Sequence, residues 1–130
     1  MRFLGRTIAL ALIFIASDLS AAPTTWACQH VEATGFSWKH SRWMQTDFNL
    51  ANSMIKIDGA VATYTEDGNT VSMNCISSVF GTISCHDTLG GTFFLNPDNG
   101  QAAESRLLGA GAGGSVRDSV VVSLMNCVKR

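Results

Sequence analysis

Apolar and polar side chains alternate most clearly in the middle of the chain, where Val71, Met73 and Cys75 are interleaved with Ser72 and Asn74. A period of two is the signature of a strand with one wet face. The stretch Val71 to Pro97 reads as a β-meander: Val71 to Cys75 runs out, Cys85-His86-Asp87 comes back, and a Gly90-Gly91 turn sends Gly91 to Leu95 out again. Just before it, Asp67-Gly68 joins Ala60–Glu66 to Asn69–Cys75, and Asp-Gly takes up the positive φ angles of a two-residue type I′ turn. That hairpin places Ala62, Tyr64, Val71, Met73 and Cys75 on one face. Thr63, Thr65, Thr70, Ser72 and Asn74 line the other, a solvated face of the kind a partner reads by hydrogen bonds.

The rest of the chain extends the pattern. Trp26 to Ala33 is a short first strand, and in Gly35 to Met44 a His40-Ser41 turn sets Trp38 directly across from Trp43, with Phe36 on the same face. Within Phe48 to Asp58 the second half alternates like a strand, while Asn49 to Met54 also suits one helical turn. Ala102 to Leu108 fits a strand or a helical turn, Gly109 to Ser115 reads as a flexible connector, and Asp118 to Val128 is apolar on both faces, as a central strand is. The expected fold is all-β: a small antiparallel barrel or curled sheet of about seven or eight strands.

The first residues do not belong to that pattern. Arg2 and Arg6 form a short basic segment, Thr7 to Ala16 is a ten-residue apolar run, and Ser20-Ala21-Ala22 supplies small residues for cleavage. This is the layout of a secretory signal peptide over residues 1–22, leaving residues 23–130 as one β domain in the periplasm or outside the cell. The apolar run is well short of the roughly 20 residues a membrane span needs. Lipid attachment at Cys28 is disfavoured by the bulky Trp26 before it and by the distance from the apolar run.

After residue 22 the chain carries seven Lys and Arg against nine Asp and Glu, a net charge of −2, with no basic cluster. Nucleic acid and anionic membranes are thereby poor partners, since both require clustered cations. All four cysteines lie in this part, and an even number in an exported chain reads as a disulfide framework. Of the three connectivities, Cys75–Cys85 with Cys28–Cys127 is preferred. A five-residue loop from Ser78 to Thr82 sets Cys75 opposite Cys85 on paired strands, and the other bond ties the first strand to the last.

Candidate chemistry is sparse. Trp38 and Trp43 make either a stacking platform for a sugar or apolar ligand or, as aromatic cross-strand pairs more commonly do, part of the core. Gly109, Gly111 and Gly114 spell G-x-G-x-x-G, but the strand before, the helix after and the downstream acidic residue that a dinucleotide site needs are missing. His30, His40 and His86 are isolated. Cys28-x-His30 would suit a metal only with Cys28 as a free thiolate, which an oxidising compartment disfavours. No serine sits in a nucleophile elbow, His86 and Asp87 point to opposite faces of a strand, and the carboxylates fall mostly at turns. No catalytic residue, metal or cofactor is assigned.

The order Cys28, Gly35-Phe36-x-Trp38, Trp43 and Phe48, a β-rich middle and a closing strand to Cys127 resembles that of short exported proteins of proteobacteria with no assigned activity. The resemblance implies a small envelope β domain. A looser similarity, in size and compartment only, is to the periplasmic lysozyme inhibitors, small disulfide-bonded β-barrels whose inhibitory loop motif this chain lacks. The expectation is a non-catalytic binding or inhibitory protein of the bacterial envelope, with Trp38, Trp43 and the loop-tip Phe80 as contact residues. The alternatives are a carrier holding a small apolar ligand inside a barrel, and an envelope hydrolase. A carrier would show an internal cavity lined by Met and Phe, and an enzyme convergent polar groups in a cleft.

Overall fold

The computed structural model describes residues 22–108 and 119–130. The signal-peptide reading, apart from its last residue, and the Gly109–Ser115 connector with its glycine pattern lie outside them. The described residues form nine strands: β1 (Thr24–Lys39), β2 (Arg42–Asp47), β3 (Asn52–Asp58), β4 (Val61–Glu66), β5 (Asn69–Ser77), β6 (Ile83–His86), β7 (Thr92–Leu95), β8 (Gln101–Leu108) and β9 (Ser119–Lys129). Of the two stretches open to a helical turn in sequence, Asn49 to Met54 is extended from Asn52 on, as the start of β3, and Ala102 to Leu108 is extended throughout in β8. Among the described residues no helix is long and apolar enough to cross a membrane.

β1 and β3 to β9 follow one another as antiparallel neighbours, and β9 pairs back onto β1 to close an eight-stranded barrel. β2 is the ninth strand. It pairs only with the second half of β1, Thr34 to Lys39, because the first half, Thr24 to Gln29, is taken by β3 on the same edge. Closure pairs β1 and β9, the strands that would otherwise be the open edges of the eight-stranded meander. Along the β1–β9 seam a Cβ at Gly35 would overlap the carbonyl oxygen of Val120, so only glycine permits that approach.

Turn chemistry sets the hairpins. Asp67 and Gly68 both take positive φ, 49° and 78°, and so do His40 and Ser41, at 51° and 58°. These are the angles a two-residue turn needs to match strand twist. The register follows: Tyr64 faces Val71, and Trp38 faces Trp43. Both preferred disulfides form, each directly across a strand pair, Cys28–Cys127 over β1–β9 and Cys75–Cys85 over β5–β6.

The lumen holds the core: Trp26, Ile55, Ile57, Tyr64, Met73, Phe93, Leu95 and Met125 pack with both disulfides. Because successive strands alternate in direction, one end of the barrel collects the Asp67-Gly68 turn, the β6–β7 connection and the end of β8; we call it the upper end. The other end collects the β3–β4, β5–β6 and β7–β8 connections.

A bulge in β1 decides which residues face inward. His30 pairs with Met125 and Glu32 with Leu124, leaving Val31 as an extra residue turned to solvent. A bulge of one residue shifts the inward set from one parity to the other. Below it Trp26, Cys28 and His30 are buried; above it Ala33 and Ser37 are. Phe36 and Trp38 are consequently turned outward, and neither Trp38 nor Trp43 joins the core that cross-strand aromatics usually make. Their rings meet edge to face, 5.4 Å between centroids at 75°, on the outer surface of the β1–β2 hairpin.

Candidate functional site

Charged residues converge where the upper end of the lumen opens. β4 contributes Tyr64 and Glu66, and β8 contributes Glu104 and Arg106; each pair is two residues apart and therefore on one face of its strand. His30 reaches in from β1, just below the bulge. The Arg106 guanidinium bridges both carboxylates through a single nitrogen, 2.6 Å from Glu66 Oε2 and 2.9 Å from Glu104 Oε1. His30 Nε2 lies 3.2 Å from Glu66 Oε2, and the Tyr64 hydroxyl donates to the same oxygen at 2.8 Å. Glu104 is only 5% exposed and Glu66 14%, so their charges are held largely out of water.

Burial outside water favours neutral acids, but here the neighbours win for Glu66. Its burial pushes the carboxyl up, while hydrogen bonds from Arg106 and Tyr64 and the charge of Arg106 pull it down, leaving it below its usual range. For Tyr64 burial and the charge of Glu104 act together and raise the phenol, which stays a neutral donor. Burial lowers Arg106, but its bond to Glu66 and the charges of Glu104 and Glu66 raise it above its ordinary value. Stability from the ionised Glu66 is fully present above its ordinary value near 4.5 and is lost as the pH falls through the lower folded value. Thermal melts of wild type and Glu66→Gln should therefore differ by a constant gap between pH 5 and 7 that closes below about 4.5. A gap that widens toward acid pH would mean the carboxylate is not held ionised by these partners.

The same side chains line a cavity of about 290 Å³ that opens at this end, just under the roughly 300–1,000 Å³ of small-molecule sites. Tyr64, Val71, Met73 and Phe93 form its apolar wall; Glu66, Glu104 and Arg106 lie on one side; Asp67, Asp87 and Leu89 stand at the rim. Tyr64 and Phe93 pack at 5.7 Å between ring centroids.

Of the residues singled out in sequence, Trp38 and Trp43 lie on the hairpin beside this same end of the barrel. Phe80, 89% exposed, tips the β5–β6 loop at the opposite end, so the three do not share one surface. Cys28 is tied up in its disulfide, which removes it as a ligand partner for His30. His86 and His40 are exposed. Asp87 Oδ1 accepts the N–H groups of Leu89 and Gly91, a turn-capping role, and does not orient His86. His30, Glu66 and Glu104 each place a ligand atom within 4.8 Å of the others, a grouping no sequence motif marks. Arg106 already supplies the positive charge there. Glu104 is one of the carboxylates away from the turns: it sits mid-strand in β8, buried inside the lumen. Extending the inward register of Ala62 and Tyr64 by two residues finds Glu66, and Glu104-x-Arg106 follows the same rule.

Fold and site together define a small disulfide-bonded β-barrel with an ion-paired, apolar-walled mouth. Comparison with known proteins finds no matching family, no matching curated protein and no matching solved structure.

Proposed function

We propose that this is an exported, non-catalytic binding protein of the bacterial envelope that carries a small ligand in the open end of its barrel. The observation that carries this reading is the cavity that the Arg106 cluster lines, with Met73, Phe93 and Tyr64 as its wall. Pockets for small ligands combine such apolar walls with a few fixed polar groups. Two disulfides fit an oxidising compartment. Convergent polar groups also suit an enzyme, but Glu66 is clamped by Arg106 and kept ionised, which makes it a poor proton donor and counts against a paired acid and base.

A second reading rests on the outward aromatic pair. Trp43 is 37% and Phe36 48% exposed, and exposed aromatics on a rigid hairpin suit contact with another envelope protein. Native mass spectrometry of the protein purified from its own envelope, without reductant, separates the two. A fully oxidised chain cut near residue 22 and carrying a few hundred daltons of non-covalent mass is the expected result. A co-purifying protein lost on Trp43→Ala favours the second reading, and a bare monomer defeats both.

A further inference from the structure

We infer that the ligand of the barrel mouth is a small organic cation, an amine or quaternary ammonium on a compact apolar group. This rests on the mouth being a ligand site. The argument begins with charge. Glu66, Asp67, Asp87 and Glu104 line the cavity, and Arg106 is the single cation among the described residues lining it. Arg106 is already spent on Glu66 and Glu104, so it neutralises part of the acidity and offers little to an incoming anion.

Asp67 sits at the exposed Asp67-Gly68 turn on the rim, and Asp87 uses Oδ1 alone to cap its turn. An anionic ligand would enter a low-dielectric mouth already in carboxylate excess, where like charges repel more strongly than in water. A neutral apolar ligand would cover the rim carboxylates of Asp67 and Asp87 without a charge to offset their desolvation. A cation meets both difficulties: its charge pairs with the rim while its apolar part packs on Val71, Met73 and the Phe93 ring. The cavity volume sets the upper size, an apolar part no larger than about six carbons.

Calorimetric titration of the full, disulfide-bonded mature chain with hexyltrimethylammonium, hexanoate and 1-hexanol tests this, since the three probes share an apolar tail and differ in charge. The expected result is that the ammonium binds about tenfold or more tightly than either of the others, with the margin shrinking as salt is raised. Equal binding of all three would keep the ligand site and overturn the cation. Tightest binding by hexanoate would make Arg106 the selector and overturn it likewise. No binding by any probe up to millimolar concentration would remove the site itself. Asp67→Asn keeps a residue that tolerates the left-handed turn, so it should retain the wild-type Tm and weaken the ammonium several-fold. Unchanged ammonium affinity in that folded variant would overturn the placement at this rim.

Discussion

Arg106→Leu should lower stability by about 3–5 kcal/mol, toward the lower end because the guanidinium itself is 32% exposed. The cost comes from what is left behind. Glu104 and Glu66 would face one another inside the lumen without the cation that bridges them, and an uncompensated buried charge is dearer than the lost contact. For a domain near 100 residues that corresponds to a Tm lower by roughly 10–25 °C at neutral pH. Adding Glu66→Gln and Glu104→Gln to Arg106→Leu should recover most of the loss, since neutral amides keep hydrogen-bonding capacity without the charge. A single-variant Tm within a few degrees of wild type would show that water or protons reach the carboxylates and do the work assigned to Arg106.

The second large effect concerns the seam. Replacing Cys28 and Cys127 together by Ala should cost about 4–5 kcal/mol, because the bond joins residues 99 apart and loop closure in the unfolded chain is restricted accordingly. The Cys75–Cys85 bond spans only 10, and its removal should cost less than about 3 kcal/mol. Both sulfur pairs are buried, so the packing lost is similar and the difference isolates loop length. Urea denaturation of the two double variants measures it. If the short-loop variant proves the weaker protein, the entropy of the unfolded chain is not what these bonds act on.

Much of this barrel is legible in the chain because its information is local. The Asp67-Gly68 turn fixes the register of β4 against β5, and that register alone puts Tyr64, Met73 and Cys75 inside. The loop from Ser78 to Thr82 brings Cys75 opposite Cys85 for the same reason, and its ends hydrogen-bond to each other as a closed loop requires. The aromatic hairpin shows the limit. Its cross-strand partner is local, since His40-Ser41 turns the chain, but its face is not. Trp26 and Cys28 share even parity with Phe36 and Trp38, and an unbroken strand would carry all four inward.

The site was less legible still. Glu66 and Arg106 lie 40 positions apart, and their contact exists only because β9 returns to β1 and sets β4 and β8 across one lumen. His30 is an isolated histidine in sequence and a partner of Glu66 in the fold. Alternation, turn residues and cysteine spacing thus determined the all-β class, the hairpin registers and the disulfides, since each depends on neighbours a few bonds away or on one pairing. Closure of the sheet and the Val31 bulge decided the rest: which aromatics face solvent, and that a histidine, two carboxylates and a guanidinium share one end of the barrel. Those outcomes depend on where distant strands meet, and no local preference of the chain encodes that meeting.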